Sequence, residues 1–278
     1  MQPLSYLGAA WFVGGFQAGA IPAHVGMANH VTGTYPKAVV LQEGTPQFDQ
    51  VRTCLLRECD RTLFLSASCF ARALESLRAS SAYWTAVGLY YSCFFAATAI
   101  LGMFGCWFKR QRTWIEAVAV TPGGQKLAVR DKKYSKITGS HEAFWDGYYR
   151  TVQFLTNYVD PAIAMALVPV ANDPAWLAKY RKEVNYEPET AFALMDDFRG
   201  AFDATAIPAC FPGRFSTELQ VAQAFISCAR FLAEDLKLVT DAHGRLGSRR
   251  DDICGLVTNT AAPELTAFAQ GTFPDLEF

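Results

Sequence analysis

Several kinds of site are missing from this sequence. Its eight cysteines (Cys54, Cys59, Cys69, Cys93, Cys106, Cys210, Cys228 and Cys254) include no C-x-x-C pair, and its four histidines do not cluster at metal-ligand spacing. Neither a zinc site nor a disulfide framework is expected. Four of the cysteines fall inside apolar helical patterns, where a thiol acts as a small hydrophobe. Reduced thiols in a cytoplasmic compartment follow as the expectation. The sequence has no Gly-rich phosphate loop, no G-x-S-x-G elbow and no H-E-x-x-H pattern, so no cofactor and no metal are expected. It has no N-x-S/T acceptor, no internal repeat and no low-complexity segment.

Charge is scarce in two places. The first charged residue is Lys37, so the N-terminal stretch lacks the positive region of a signal peptide. No charge occurs from Ala79 to Phe108, a run long enough to span a bilayer. Three tyrosines, three glycines and several hydroxyl residues dilute it. It reads as the central helix of a bundle, which is apolar all round. A membrane span over 79–108 is the alternative.

Hydrophobic residues make up 51% of the chain and charged residues 18%, which is ample material for a core. With 278 residues, one large domain or a bundle with additions is expected. The formal net charge of −1 predicts no partner by itself.

The expected fold is mostly α, an antiparallel helical bundle with an inserted β-hairpin and an irregular N-terminal arm. Residues 1–44 show poor helical periodicity and read as that arm, with a short strand near Lys37–Gln42. Thr45-Pro46 is an N-cap followed by proline at the first helical position. From there Val51, Leu55, Cys59, Leu63, Ala67, Phe70, Leu74 and Leu77 recur at steps of three and four, one amphipathic helix to about Leu77. Arg52, Arg57, Asp60, Arg61, Arg72 and Glu75 are its expected wet side. Ser80 or Ser81 caps the apolar helix, which runs to about Gly105. The short connection makes the two helices antiparallel neighbours.

The period then changes. Thr113–Val120 and Lys126–Asp131 flank a Pro-Gly-Gly turn and read as a hairpin. Ser140 caps a helix from His141 to about Tyr158. Short helices are expected from Pro161 to Leu167 and from Pro174 to about Lys182, and a further one from Pro188 to about Phe202. A strongly periodic helix follows Ser216, stopped at Gly244.

The hairpin region is the main electrostatic feature. Lys109, Arg110, Arg112, Lys126, Arg130, Lys132, Lys133 and Lys136 face only Glu116 and Asp131, a local balance of +6. A protruding basic hairpin with Trp107, Trp114 and Tyr134 suits a phosphate backbone and stacked bases. The plain alternative is a solvated edge hairpin kept monomeric by its lysines.

Three local sequences bring a family into view. They are Tyr90-Tyr91-Ser92-Cys93-Phe94-Phe95-Ala96-Ala97-Thr98-Ala99, Ser140-His141-Glu142-Ala143-Phe144-Trp145 and Arg181-Lys182-Glu183-Val184-Asn185-Tyr186. In this order they resemble the HEPN superfamily (higher eukaryotes and prokaryotes nucleotide-binding). The third is similar to its signature, an arginine and then a histidine after four to six residues. Here spacing four places Tyr186 at the histidine position, and spacings five and six hold no histidine.

The resemblance covers roughly residues 46–240. It divides the chain into the arm at 1–44, a HEPN-like bundle at 45–242 with the hairpin insertion at 107–137, and a C-terminal extension at 243–278. It implies a homodimer acting on RNA, as a metal-independent endoribonuclease of a prokaryotic toxin or antiphage defence system. A protein partner from the same system is then expected. A non-catalytic dimerisation or interaction subunit is the alternative, which the tyrosine favours.

The chemistry fits the residue types. RNA cleavage without a metal needs proton transfer, which suits histidine, and stabilisation of a phosphorane, which suits the planar fork of arginine. Arg181 is the expected phosphate ligand. Asn185 can orient phosphate or a ribose hydroxyl, and Tyr186 can donate a hydrogen bond. His141 supplies an imidazole if its helix faces Arg181. The structural alternative has Arg181 closing a helix end, or pairing with Glu187 or Glu189. Glu142 and Asp146, four apart, could hold a metal, but acidic residues in a first turn commonly serve the helix dipole.

Overall fold

The computed structural model describes residues 4–16, 27, 34–35, 38–78, 81–109, 112–118, 124–133, 139–157, 161–187, 216–236 and 238. They form a mostly α protein, a helical bundle with one antiparallel sheet. The helix expected over 188–202 and the extension at 243–278 lie outside the described residues.

The N-terminal arm differs from expectation, because it opens with helix α1, Tyr6–Gly14. Ser5 caps it, its side-chain oxygen accepting from the Gly8 amide at 3.2 Å. Nearly every residue of α1 is apolar, so no period marks its buried side. Phe12 and Val13 enter the core, and Phe12 meets Phe48 edge-on at 6.3 Å. Leu7 and Trp11, one turn apart, stay exposed.

Helix α2, Pro46–Arg78, starts where the sequence predicts. Thr45 Oγ1 accepts from the Phe48 amide at 3.3 Å, satisfying one of the free donors of the first turn. Arg52 departs from its expected wet position. It is buried, pairs with Asp49 at 2.6 Å and lies over the Phe48 ring at 5.4 Å.

Helix α3, Ala82–Met103, runs back along α2. The two are joined by reciprocal buried bonds: Ser66 Oγ donates to the Ser92 carbonyl at 2.8 Å, and Ser92 Oγ to that of Ser66 at 3.0 Å. Small residues let the backbones approach. A Cβ on Gly102 would stand 2.3 Å from Cys59 Sγ. Among the described residues, one helical stretch, Tyr83–Met103, is long and apolar enough to cross a membrane. About two-thirds of it is buried inside the bundle.

Gly105, at φ +73°, turns the chain out of α3 into the sheet. The strands are β1 Val39–Gln42, β2 Cys106–Lys109, β3 Arg112–Val118 and β4 Lys126–Lys133, in the order β1-β4-β3-β2, each pair antiparallel. The expected hairpin is thus the centre of a larger sheet. It does not protrude: Trp107, Phe108, Ile115, Leu127 and Val129 are all buried. Polar ties fasten the sheet to α1. Gln125 Nε2 donates to the Gly8 carbonyl at 2.8 Å, and Trp11 Nε1 donates to Glu43 at 2.5 Å.

Helix α4 spans Ser140–Val152, with Gly139 rather than Ser140 at the cap. The helix expected to reach Tyr158 tightens into a 3-10 segment at Gln153–Asn157. The short helix expected after Pro161 is also 3-10, Pro161–Ala166. Helix α5 spans Trp176–Tyr186, four residues past its expected end. Buried Val184 and hydrogen-bonded Asn185 hold that extra turn. Helix α6, Ser216–Asp235, buries Leu219, Ala222, Phe225, Ile226, Ala229 and Leu232, the stripe its period predicts.

Candidate functional site

The candidate site lies where α4 and α5 meet the middle of α3. Tyr90 and Tyr91 are adjacent on α3 and so point about 100° apart around its axis. Their rings stand nearly perpendicular, centroids 5.2 Å apart. Arg181 sits over both, its guanidinium carbon 5.5 Å from the Tyr90 centroid and 5.6 Å from that of Tyr91. This is cation–π distance. Arg181 Nη2 donates to the Tyr91 hydroxyl at 3.1 Å. Its Nε is buried without a hydrogen-bond partner. Among the described residues no carboxylate pairs with it, so neither Glu187 nor a helix end accounts for its position, and Glu189 lies outside the described residues.

His141, at the start of α4, meets the Tyr90 hydroxyl. Its Nδ1 lies 2.6 Å from the Tyr90 hydroxyl, and its ring packs 5.5 Å from Phe94. Burial, and then the charge of Arg181, lower the imidazole pKa below its ordinary 6.5. His141 is therefore neutral at pH 7.

Burial drives the Tyr90 pKa up, and Arg181 offsets only part of the rise. The Trp145 indole N–H stands beside the same hydroxyl and also opposes it, outside full hydrogen-bonding geometry. Tyr90 thus keeps its proton. Among the described residues its acceptor is His141 Nδ1, so the hydroxyl donates to Nδ1 and the imidazole proton resides on Nε2. The centre presents a guanidinium and a neutral imidazole N–H, both donors.

The other expected site residues make different contacts. Asn185 Oδ1 accepts from the Tyr83 hydroxyl at 2.9 Å and so docks the end of α5 on α3. Tyr186 is 68% exposed. Asp146 is committed to Arg150, one turn on, with Nε donating at 3.1 Å. Among the described residues no three His, Cys, Asp or Glu side chains gather as a metal site. Burial pushes the Cys54 thiol up to about 11 and that of Cys228 up to about 12, so neither is a nucleophile at neutral pH.

Of the basic residues, Lys109, Arg112, Lys126, Arg130, Lys132 and Lys133 fall on β2, β3 and β4. Lys109 pairs in register with Arg112, and Arg112 with Lys133. Three basic positions therefore share one row at one end of the sheet. Lys126 is exposed at the opposite end of β4. Arg110 and Lys136 lie outside the described residues, as does Tyr134. Trp107 is only 8% exposed and cannot stack on a base as expected.

Sequence reasoning missed Tyr90 and Tyr91 as site residues, although the pair stood out as a motif. Their signal was two adjacent hydroxyl-bearing rings in a helix otherwise free of charge. Compared with family models, curated proteins and solved structures, the chain finds no match.

Proposed function

We propose that the chain is a HEPN-like protein that binds RNA at Arg181 and His141 and cleaves it without a metal ion. One observation carries the reading: a partly buried guanidinium rests on two tyrosine rings, beside an imidazole and with no carboxylate partner among the described residues. A desolvated cation in that position is completed by an anion. Its planar fork and the His141 Nε2–H suit the oxygens of a phosphodiester.

In the reaction the RNA 2′-oxygen attacks the adjacent phosphorus and the bond to the 5′-oxygen breaks. A 2′,3′-cyclic phosphate and a 5′-hydroxyl result. The 2′-hydroxyl loses its proton to solvent base, and the leaving oxygen takes one from water. Arg181 and His141 stabilise the extra negative charge of the phosphorane. The reading extends to a cytoplasmic homodimer working with a protein partner of a toxin or antiphage system, with α3 as bundle core. The basic row at the end of the sheet would hold flanking phosphates.

The test is cleavage of a labelled RNA in EDTA by wild type, Arg181→Ala and His141→Gln. Metal-independent cleavage that falls about a hundredfold or more in Arg181→Ala supports the reading. Cleavage unchanged in both variants overturns it.

A second reading, RNA binding without cleavage, is favoured by the same hydrogen bond. With Nδ1 occupied by Tyr90, the centre holds donors and no base. It predicts binding lost in Arg181→Ala and no cleavage by any form.

A further inference from the structure

Two large aromatic side chains are exposed on the two helices that frame Arg181: Trp84 at 59% on α3 and Tyr186 at 68% on α5. Their placement follows from how α3 and α5 pair. Arg181 bonds Tyr91 while Asn185 bonds Tyr83, so advancing along α5 means retreating along α3, and the helices are antiparallel. Trp84 lies one residue past Tyr83, a step of about 100° around α3. Tyr186 lies one residue past Asn185, the same step around α5. In antiparallel neighbours these steps turn toward the same flank. Lys182, one residue past Arg181, turns there too and is exposed.

This flank therefore carries two aromatic side chains at one end and a cation further along. Between Arg181 and Tyr186 the axial rise is about 7.5 Å, and between Trp84 and Tyr91 about 10.5 Å. These are the dimensions of one to two nucleotides. Trp84 is held from beneath, its ring meeting Tyr83 edge-on at 4.9 Å, while Tyr83 is fixed by Asn185. An indole braced in this way while more than half exposed offers a rigid face at little entropic cost.

The geometry points to a base-stacking platform: Trp84 and Tyr186 receive nucleobases of a single-stranded RNA whose phosphate lies on Arg181. The inference rests on the phosphate-binding reading above and adds what sets specificity. A duplex keeps its bases stacked on one another and has none to offer the platform. Stacking of a base on an aromatic ring tolerates any sequence, so the selected feature is strandedness rather than base identity.

The experiment measures binding by fluorescence anisotropy of a labelled single-stranded uridine oligomer, the same oligomer in a duplex, and an abasic strand of equal length. Wild type, Trp84→Ala, Trp84→Phe, Tyr186→Ala and Arg181→Ala are compared, with circular dichroism confirming that each is folded. The expected result is a loss of about tenfold for the single strand in Trp84→Ala and in Tyr186→Ala. Trp84→Phe regains most of it, and the abasic strand binds wild type and Trp84→Ala alike. If both alanine variants bind the single strand as wild type does while Arg181→Ala is weakened, the platform is overturned and the phosphate site stands. If Arg181→Ala also binds as wild type, or wild type binds no strand, both readings fall.

Discussion

Tyr90 donates its hydroxyl proton to Nδ1 of His141 across 2.6 Å. The bond fixes the tautomer of a histidine 51 residues away in sequence. It also makes protonation costly. A second proton would have to sit on Nδ1, against a hydroxyl that has no other acceptor among the described residues.

Stability should therefore fall with acid in a way that depends on His141. Its pKa is lowered in the folded state, so the unfolded chain takes up the proton first. The contribution is fully present above the unfolded value of about 6.5 and is lost as pH falls through the lower folded value. Thermal melts of wild type and His141→Gln between pH 8 and pH 5 check this. The wild-type melting temperature should drop more steeply below pH 6.5. Parallel curves would show that the imidazole is not desolvated.

Removing the donor should release the imidazole. In Tyr90→Phe the ring packing against Trp145 and Phe94 remains, but Nδ1 loses its partner. The His141 pKa, followed by NMR of the imidazole protons, should rise only by the share this bond supplies, because burial and the Arg181 charge remain. Stability should fall by about 1 kcal/mol, the usual net value of one hydrogen bond.

Cleavage by the proposed centre should rise with pH rather than follow a bell. Both protein groups act as donors in states already populated at neutrality, and solvent base removes the 2′-hydroxyl proton. The rate of wild type in EDTA is expected to increase about tenfold per pH unit between 6.5 and 8.5. A maximum near pH 6 to 7 would instead assign proton transfer to His141.

The α2–α3 contact offers a test of packing apart from the site. Gly102→Ala drives a methyl group into Cys59 Sγ. The expected cost is about 1–3 kcal/mol, the range for overpacked cores, measured by denaturant unfolding. Gly102→Ala combined with Cys59→Ala should recover part of it, since the clash is with that sulfur.

Much of the fold was legible because it repeats. Helices α2 and α6 carry one-sided apolar stripes, and Thr45-Pro46 marks a start that the structure keeps. The hairpin strands carried their turn chemistry. Helix α1 was hidden because it is apolar on every side, so the residues that face the core look like those that do not. Strand β2 was hidden because Trp107 and Phe108 continue the apolar run of α3, and only Gly105 breaks it. The end of α5 was misplaced because Val184 is buried and Asn185 is held by Tyr83 of α3, a partner that periodicity cannot see. For the candidate site, Arg181 and His141 were each readable as chemistry. Their common floor of Tyr90 and Tyr91 depends on where three helices cross, which no local pattern encodes.

Tyr6 on α1 donates a hydrogen bond to Asp235, the last residue of α6. With Trp11 held to Glu43 and Gln125 to the Gly8 carbonyl, the first helix works as a buckle closing a belt. Its removal would not trim an end. It would open the Phe48 side of the core, loosen the sheet at the turn before β4 and free the end of the last described helix in one step. Tyr6 and Asp235 stand 229 residues apart in sequence, so this contact can form only after α6 has been made.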